Sequence, residues 1–288
     1  MSSWISIKPY VGDIDIETFG QLNAQTVLNT MVSAGLKRKS CHDRLALLKM
    51  MLTYALTEHS IAIKPLNWKL RYPASAPRLV KSFTKAESKR VIQAVSHEIA
   101  QGKTSSVSIA ISLLTGLRIG EVCGLRWNDF DFSHKTFTVQ RTVNNFYDPI
   151  NRSGQTIVGP PKTTAGFREV PVHPVLMELL KQAFGKPSLL KGYVLTGTDT
   201  PRSTRVIRDS YDRFLKRHKL PDINFHGLRH TFATILIEAG VDVKTVSDII
   251  GHANVSTTFN LYVHPSADAK RKAIMKAFRG FKMEGGEQ

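Results

Sequence analysis

The sequence is poor in cysteine. Its 288 residues include two cysteines, Cys41 and Cys123, and neither lies in a spacing typical of metal binding or redox exchange. A framework of several disulfides is therefore excluded. Both thiols fit a reducing compartment, and we expect the protein to be cytoplasmic.

Long apolar runs are also missing. The longest, at residues 107–117, is too short to span a bilayer and is followed by Arg118. The N-terminus has no basic segment followed by an apolar stretch and a cleavage site, so nothing in it marks export. The hydrophobic share of 42% is enough for a packed core, and the length favours two domains.

Acidic residues are scarce relative to basic ones. The chain has 23 Asp and Glu against 40 Lys and Arg, which gives a formal net charge of +17. A surplus of this size predicts a polyanionic partner, either nucleic acid or an acidic membrane surface. A solvated basic surface without a partner remains the alternative at this point.

The first quarter of the chain predicts a thin helical region followed by an extended linker. Asn23 is suited to cap a short helix that ends near Gly35, and Ser40 is suited to cap a longer one. Residues 63–83 combine three prolines with many cations, which indicates an extended segment that could pass around a DNA duplex. A solvated hinge is the alternative. The cations that we expect to contact DNA are Lys64, Lys69, Arg71, Arg78 and Lys81.

The rest of the chain predicts helices with a few short strands. Thr84 and Glu87 form a capping box for a helix that ends near Gln101. Strands are predicted at residues 135–143 and 168–172, and a loop or long hairpin at 144–159. Further helices are predicted near residues 105–115, 174–184, 205–219, 226–239, 243–250, 256–262 and 266–279.

Several side chains suited to phosphate chemistry lie in the last quarter of the chain. His226 and Arg229 are three residues apart in NFHGLRHTFAT, on one face of a predicted helical turn and beside its buried stripe. His252 follows a glycine that should end the next helix, and Tyr262 comes ten residues later.

These residue types can break a phosphodiester bond without a metal. Tyr262 can be the nucleophile, although its ordinary pKa of about 10 requires help from cations or a basic imidazole. Arg118 and Arg229 offer planar forks that match phosphate oxygens. Lys162, on a predicted turn, can give a proton to a leaving 5′ hydroxyl, and the two histidines can donate to a non-bridging oxygen or move the tyrosine proton.

Each of these residues also has an ordinary structural interpretation. A tyrosine near a chain end usually packs, and an arginine after a glycine is usually a surface or cap residue. His226 and His230 are four residues apart, as in a zinc site, but the glutamate that a zinc protease needs beside the first histidine is Gly227 here. We expect no metal and no cofactor. The order and spacing of the whole set carry the functional hypothesis.

Together these motifs resemble those of the tyrosine recombinases, the phage-integrase family, over roughly residues 80–265. TGLRIGEVCGLRW resembles the first arginine box and KTTAGFREVPV the hairpin with the catalytic lysine; HGLRH and GHANVSTTFNLY resemble the boxes that follow. The resemblance implies that the catalytic residues are Arg118, Lys162, His226, Arg229, His252 and the nucleophile Tyr262, with Glu121 as a supporting acid.

The resemblance also implies a fold and a mode of action. The fold is mainly α with a small antiparallel β-sheet, and it joins a helical core-binding domain at residues 1–78 to a catalytic domain at 79–288 with a C-terminal helix. The two domains clamp double-stranded DNA at specific core sites and cut one strand at a time through a 3′-phosphotyrosine. Four protomers on two duplexes, accessory DNA-bending or directionality factors, and a nucleoid-associated place in a bacterial cell, away from membranes, are implied as well.

Both ends of the chain raise alternatives. The N-terminal region has fewer clear helices than a core-binding domain of this family, so we expect either a shortened integrase or an N-terminus that replaces the missing helices. The basic amphipathic run at residues 267–278 fits a tail that docks on a neighbouring protomer, and packing within its own chain is the alternative.

The resulting hypothesis is a site-specific integrase that inserts or excises a phage or mobile element, favoured by the long stretch at residues 144–159 before the lysine. A resolvase of the Xer type or an invertase with the same chemistry remains open, as does a type IB topoisomerase. An integrase-derived DNA-binding regulator is the rival from another class. The intact residue set argues against that regulator, and the short N-terminal region argues for it.

Overall fold

The computed structural model of the chain describes residues 5–12, 14–59, 61–62, 64–73, 81–148, 153–252, 254–256, 258, 271 and 274–275. The chain divides into two compact units, one formed by residues 1–79 with 148–153 and the other by residues 80–147 with 154–288. Within the described residues, no helix is long and apolar enough to cross a membrane.

The described chain is mainly helical, which confirms the predicted fold class. Its helices are α1 (Lys8–Val11), α2 (Gln21–Ser33), α3 (Arg38–His59), α4 (Lys85–Ala100), α5 (Val107–Thr115), α6 (Ile119–Gly124), α7 (Pro174–Phe184), α8 (Thr204–Arg217), α9 (His226–Glu238) and α10 (Val243–Ile250). Its strands are β1 (Phe130–Asp131), β2 (Thr136–Val139), β3 (Thr142–Asp148), β4 (Ser153–Gly159) and β5 (Arg168–Pro171).

The first unit packs α1, α2 and α3 around a small apolar core of its own. The predicted caps of its two longer helices were wrong. Gly20, in an extended conformation, is the N-cap of α2, and Asn23 lies one turn inside, where its side chain accepts the Gly20 N–H at 3.0 Å. Helix α3 begins at Arg38, so Ser40 is part of its first turn and does not cap it.

Residues 64–73 are extended, as predicted, but they are not a solvated hinge. Their side chains alternate, because Leu66, Trp68, Leu70 and Tyr72 pack against the core of the first unit while the residues between them are exposed. The backbone of this segment is also hydrogen-bonded to side chains of α2. The N–H groups of residues 69 and 71 donate to the side-chain carbonyls of Gln21 and Gln25 at 3.2 and 2.9 Å.

The second unit is built around α5, which is buried on nearly all sides and contacts α4, α7 and α9. The capping box predicted at the start of α4 is present, since the Thr84 hydroxyl accepts the Glu87 N–H and the Glu87 carboxylate accepts the Thr84 N–H at 2.7 Å. Helix α5 ends at Gly116, whose φ of 70° lies in the left-handed region. The apolar run therefore stops directly before Arg118.

The strands form a three-stranded antiparallel sheet in the order β1-β2-β5 and a separate two-stranded sheet of β3 and β4. Phe137 pairs with Val170 in the first sheet, and both are buried. The single strand predicted at residues 135–143 is broken into β2 and β3, because the β2 ladder ends at Val139, opposite Arg168, the first residue of β5. The stretch at 144–159 is the long hairpin that was one of the two predictions for it.

The last described segments follow α10, which begins at its predicted cap, Asp242. Residues 255, 256 and 258 are helical, so Ser256 lies inside this helical stretch, and its N–H donates to the Asn254 side chain at 2.8 Å. The predicted position of Tyr262 and most of the predicted tail helix at residues 266–279 lie outside the described residues.

We predict that Trp68→Ala lowers the free energy of unfolding of the first unit by about 2 kcal/mol, because its partly buried ring packs against Phe19 with centroids 5.5 Å apart. The control Lys69→Ala removes an exposed side chain and keeps the backbone bond, so its effect should stay within about 0.5 kcal/mol. Urea denaturation of the full chain, followed by circular dichroism, measures both. Equal effects of the two substitutions would mean that residues 64–73 do not belong to the folded unit.

Candidate active site

An open cleft of about 880 Å³ in the second unit brings together five of the seven residues predicted to be catalytic or to support catalysis. It lies between the start of α6, strand β3, the loop after β4, the first turns of α8 and α9, and the residues after α10. The predicted residues that line it are Arg118, Glu121, Lys162, His226 and His252.

Other predicted residues lie elsewhere. Arg229 is not part of the cleft lining and is described below. Lys64, Lys69 and Arg71 are exposed on the extended segment of the first unit, and Lys81 is exposed at the start of the second. Tyr262 and Arg78 lie outside the described residues.

Arg118 is the N-cap of α6 and reaches two partners with its guanidinium. Nη1 donates to Glu121 Oε1 at 2.8 Å and Nη2 donates to the carbonyl of Gly251 at 3.0 Å. The side chain is still 39% exposed. The arginine is thus held firmly on one side while its other side faces the cleft, which is the arrangement that an anion-binding fork requires.

Glu121 is the acid behind this arginine, and its side chain is 3% exposed. Its carboxylate accepts the Arg118 backbone N–H at 3.0 Å and also faces Arg168, whose Nη2 donates to Oε2 at 3.0 Å. Burial raises the pKa of Glu121, but the charges and hydrogen bonds of Arg168 and Arg118 outweigh it and hold the pKa below its ordinary value. Glu121 is therefore an anion that orients two cations.

Arg229 is more deeply buried than predicted. The sequence placed it beside the buried stripe of α9, but it is 1% exposed and is the largest fully buried side chain among the described residues. Its Nη1 donates to the carbonyl of Gly116 at 2.9 Å, at the end of α5. Its charge acts on the cleft, since it contributes to the lowered pKa values of both His226 and His252.

His226 begins α9 and lies against His230 in an edge-to-face contact, with ring centroids 4.5 Å apart. Desolvation in the cleft lowers the pKa of His226, and the neighbouring charges of Arg229 and Arg118 lower it further. Burial, followed by the charges of His226 and Arg229, lowers the pKa of His230 to about 4. Both rings are therefore neutral near pH 7 and can accept a proton.

His252 follows the Gly251 C-cap of α10. One ring nitrogen, Nδ1, is 2.8 Å from the Thr258 hydroxyl, which fixes the ring plane. Burial, followed by the charges of Arg229 and Arg118, lowers the pKa of His252 to about 3. This imidazole is also neutral over the whole physiological range.

Lys162 lies on the loop between β4 and the short 3-10 turn at Thr164–Gly166. Its side chain is exposed, and Lys162 lines the same cleft as His226 and His252. The predicted turn is thus confirmed, and the loop leaves the ammonium group in solvent. Such a group can move toward a substrate held in the cleft.

Two arginines of the site were missed by the sequence analysis. Arg168 contacts Glu121 from strand β5, and Arg208 lines the cleft from α8 beside Thr204. A regular spacing of three residues at positions 202, 205 and 208 was the available signal for Arg208. Arg168 gave no such signal, since its partners lie far away in the sequence.

The described residues contain no group of three or more His, Cys, Asp or Glu side chains arranged to hold a metal ion. The pair formed by His226 and His230 is therefore without a third ligand in the part of the chain that the structure describes. What the cleft does offer is two guanidinium groups, an ammonium group and two neutral imidazoles. This set suits an anionic phosphodiester whose reaction needs proton transfer.

The sequence and fold are similar to those of known recombinases. The model of the phage integrase family matches residues 81–269, which is more than half of the chain. The chain is 29% identical over 282 residues to a tyrosine recombinase XerC-like protein of Caldanaerobacter subterraneus subsp. tengcongensis, over 90% of this chain and 71% of that protein. It is 25% identical over 268 residues to the ICEBs1 integrase of Bacillus subtilis, over 90% and 70% of the two chains.

Two solved structures share the fold. A fragment of the Tn1549 transposon integrase in complex with transposon right end DNA superposes with a TM-score of 0.73 at 21% identity, over 96% of this chain and 92% of that one. A lambda integrase dimer bound to a core site gives a TM-score of 0.60 at 18% identity, over 100% and 90%. These similarities confirm the fold that the motifs implied.

We predict that His252→Gln reduces the loss of stability between pH 7 and pH 5. The folded pKa of about 3 lies below the ordinary value of 6.5, so the unfolded chain binds the extra proton and stability falls as pH decreases through this window. Glutamine abolishes this contribution. Urea denaturation of the full chain at pH 5, 6 and 7 measures the difference.

The matched control is His97→Gln, which removes an exposed imidazole on α4 away from the cleft. It should keep the acid sensitivity of the unsubstituted chain. An identical pH dependence for the His252 variant and the unsubstituted chain would contradict a neutral, desolvated His252.

Proposed function

Because the chain belongs to the phage integrase family, the tyrosine recombinases that cut and rejoin DNA, we propose that it exchanges strands at specific DNA sites through a 3′-phosphotyrosine intermediate. The observation that carries this proposal is the cleft, in which Arg118, Lys162, His226 and His252 surround one space with Arg229 buried behind it.

The scissile phosphate would lie against Arg118, with Arg229 adding positive charge from behind. Two guanidinium groups balance the charge that develops on the non-bridging oxygens in the transition state, and arginine stays charged at any pH at which the protein is folded. Because Arg118 is anchored by Glu121 and Gly251, little reorganisation is needed when the phosphate binds.

We assign the nucleophile to Tyr262. Its phenol oxygen forms a bond to phosphorus while the bond from phosphorus to the 5′ oxygen breaks, and the departing 5′ oxygen takes a proton from Lys162. The phenol proton passes to the imidazole of His226 or His252, both of which are unprotonated at pH 7, as the bond from the phenol oxygen to phosphorus forms. Attack by a free 5′ hydroxyl on the phosphotyrosine reverses these steps and joins a strand. No bond energy is lost to water, so the cycle is balanced without a cofactor.

We propose that residues 1–78 are the core-binding domain and residues 79–288 the catalytic domain. The extended segment supports DNA contact, because its apolar side chains are anchored to the first unit while Lys64, Lys69 and Arg71 are exposed. We also assign DNA contact to Arg78 and Lys81 because of their charge. Cations held on an anchored backbone lose less conformational freedom on binding phosphates than cations on a free linker.

The biological role that we favour is the integration and excision of a phage or mobile element. The similarity to the ICEBs1 integrase and to the Tn1549 integrase with its transposon-end DNA supports this role. The similarity to a XerC-like protein keeps resolution of DNA molecules as the second candidate, since the chemistry is the same. Recombination between sites on two separate DNA molecules would support integration, and recombination restricted to two sites on one circular molecule would support resolution.

We further propose a tetramer on two duplexes and help from DNA-bending or directionality factors.

We predict that Tyr262→Phe abolishes the covalent adduct with nicked duplexes taken from the DNA that flanks the gene, while DNA binding is retained. Phenylalanine keeps the ring and removes the nucleophilic oxygen. Gel separation and mass spectrometry detect and map the adduct. Tyr147→Phe is the matched control, since Tyr147 is exposed on β3 and should leave the adduct yield unchanged.

An adduct that persists in the Tyr262 variant would remove this residue from the mechanism. No adduct with the unsubstituted chain, together with retained binding, would instead support an integrase-derived DNA-binding regulator.

We predict that DNA affinity falls steeply with salt and that replacing Lys64, Lys69 and Arg71 by glutamine reduces the slope of log K against log salt. Each lost phosphate contact should lower the slope by about 0.9. A matched triple replacement of Lys181, Lys186 and Lys191 removes the same charge from a surface away from the cleft and should leave the slope nearly unchanged. Equal slopes for the two triple variants would contradict a specific role of the extended segment.

A further inference from the structure

Arg168 lies at the start of strand β5, six residues after Lys162, and its side chain is only 7% exposed. It does not line the cleft, so it has no direct access to a phosphate. A buried arginine needs compensation for its charge and its five N–H groups, and the structure shows where that compensation comes from.

The guanidinium of Arg168 bonds to three parts of the second unit. Nε donates to the carbonyl of Ile249 at 2.6 Å, near the end of α10. Nη1 donates to the carbonyl of Gly166 at 3.1 Å, in the turn that follows Lys162. Nη2 donates to the Glu121 carboxylate at 3.0 Å.

These three bonds join the segments that carry the proposed catalytic groups. Glu121 holds Arg118, and Ile249 lies three residues before His252. The packing is close on this side. A Cβ on Gly251 would lie 2.7 Å from the carbonyl oxygen of Ala165 and 2.8 Å from Arg168 Nη1. The turn and the end of α10 therefore meet directly at this arginine.

The charge of Arg168 also affects where the Arg118 guanidinium lies relative to a phosphate in the cleft. Two guanidinium groups share the single negative charge of Glu121. Without Arg168, the whole attraction of that buried carboxylate would act on Arg118 and draw it away from an anion in the cleft. The bonds to Ile249 and Gly166 would be lost at the same time.

We propose that Arg168 is a positioning residue that holds Arg118 and His252 in the geometry needed for strand cleavage. This inference rests on the proposed function for the reaction that it serves. Arg168 acts through Glu121 and the backbone of α10, and it contacts no reacting atom.

The first test compares Arg168→Gln and Arg168→Lys with a matched control, Arg217→Gln, in the full chain. Arg217 also pairs with a nearly buried carboxylate, Glu98 at 2.7 Å, but on the far part of α8 and outside the cleft. The measured quantities are the single-turnover rate of adduct formation on a nicked duplex and, separately, the dissociation constant for that DNA.

For Arg168→Gln we expect a rate about 10- to 100-fold lower with a nearly unchanged dissociation constant, because misplaced catalytic groups affect the transition state more than ground-state binding. Lysine keeps one positive charge but cannot reach Glu121 and Ile249 together. The rate of Arg168→Lys should therefore lie between the rates of Arg168→Gln and the unsubstituted chain. If the glutamine variant does not fold, the lysine variant alone decides. Cleavage at the unsubstituted rate in the folded variants, or an equal loss in Arg217→Gln, would overturn the proposal.

The second test does not depend on activity. Nuclear magnetic resonance titration of the His252 ring, assigned with His252→Gln, reports on the surroundings of the imidazole. Arg229, Arg118, His226 and His230 are the charged and titratable groups that act on it. When the hydrogen bond between Arg168 and the Ile249 carbonyl is lost, the imidazole of His252 should become more exposed to solvent. Its pKa should then rise from about 3 toward 6.5 in Arg168→Gln and stay unchanged in Arg217→Gln.

The two tests separate the inference from the proposed function. A raised pKa of His252 without cleavage by any variant, the unsubstituted chain included, would refute the proposed reaction and still support the positioning of His252 by Arg168. An unchanged pKa in Arg168→Gln would refute the positioning role whatever the cleavage rates are.

Discussion

The arrangement of the cleft depends on one buried anion, the carboxylate of Glu121. A buried charge of this kind is tolerated only when it is paired and hydrogen-bonded, and Arg118 and Arg168 supply both conditions. The same pairing turns the Arg118 fork toward the open space. Burial, followed by the charges of Arg229 and Arg118, lowers the pKa values of His226 and His252 and keeps both imidazoles unprotonated near pH 7. In the proposed reaction, groups that never titrate attract the phosphate and neutral groups transfer the protons.

Features that depend on local chemistry were predictable from the sequence. The capping box of Thr84 and Glu87, the left-handed Gly116 at the end of α5 and the Asp242 cap of α10 involve residues within a turn of one another, and all three are present. The family followed from the resemblance of its motifs and their order, and the fold class was implied by that family. The roles of the site residues, Tyr262 among them, stay predictions.

Features that depend on distant partners could not be predicted. Arg168 forms hydrogen bonds with Glu121 and Ile249, which are 47 and 81 positions away from it in the sequence. Nothing near Arg168 in the sequence therefore marked it as part of the site. The predicted strand at residues 135–143 stops at Val139 because the strand that pairs with it, β5, begins at Arg168. The buried guanidinium of Arg229 donates to the carbonyl of Gly116, 113 positions away in the chain. In each case the deciding interaction is an ion pair or hydrogen bond that only the folded chain creates.

The alternating segment at residues 64–73 also determines how the protein can be dissected. A fragment cut at residue 64, where the proline-rich composition suggests a linker, would remove four apolar side chains from the core of the first unit and leave Gln21 and Gln25 without their backbone partners. Exposed apolar surface of that kind promotes aggregation. A fragment that extends through Pro73 keeps this layer intact, so the useful boundary for producing the first unit alone lies beyond the segment rather than within it.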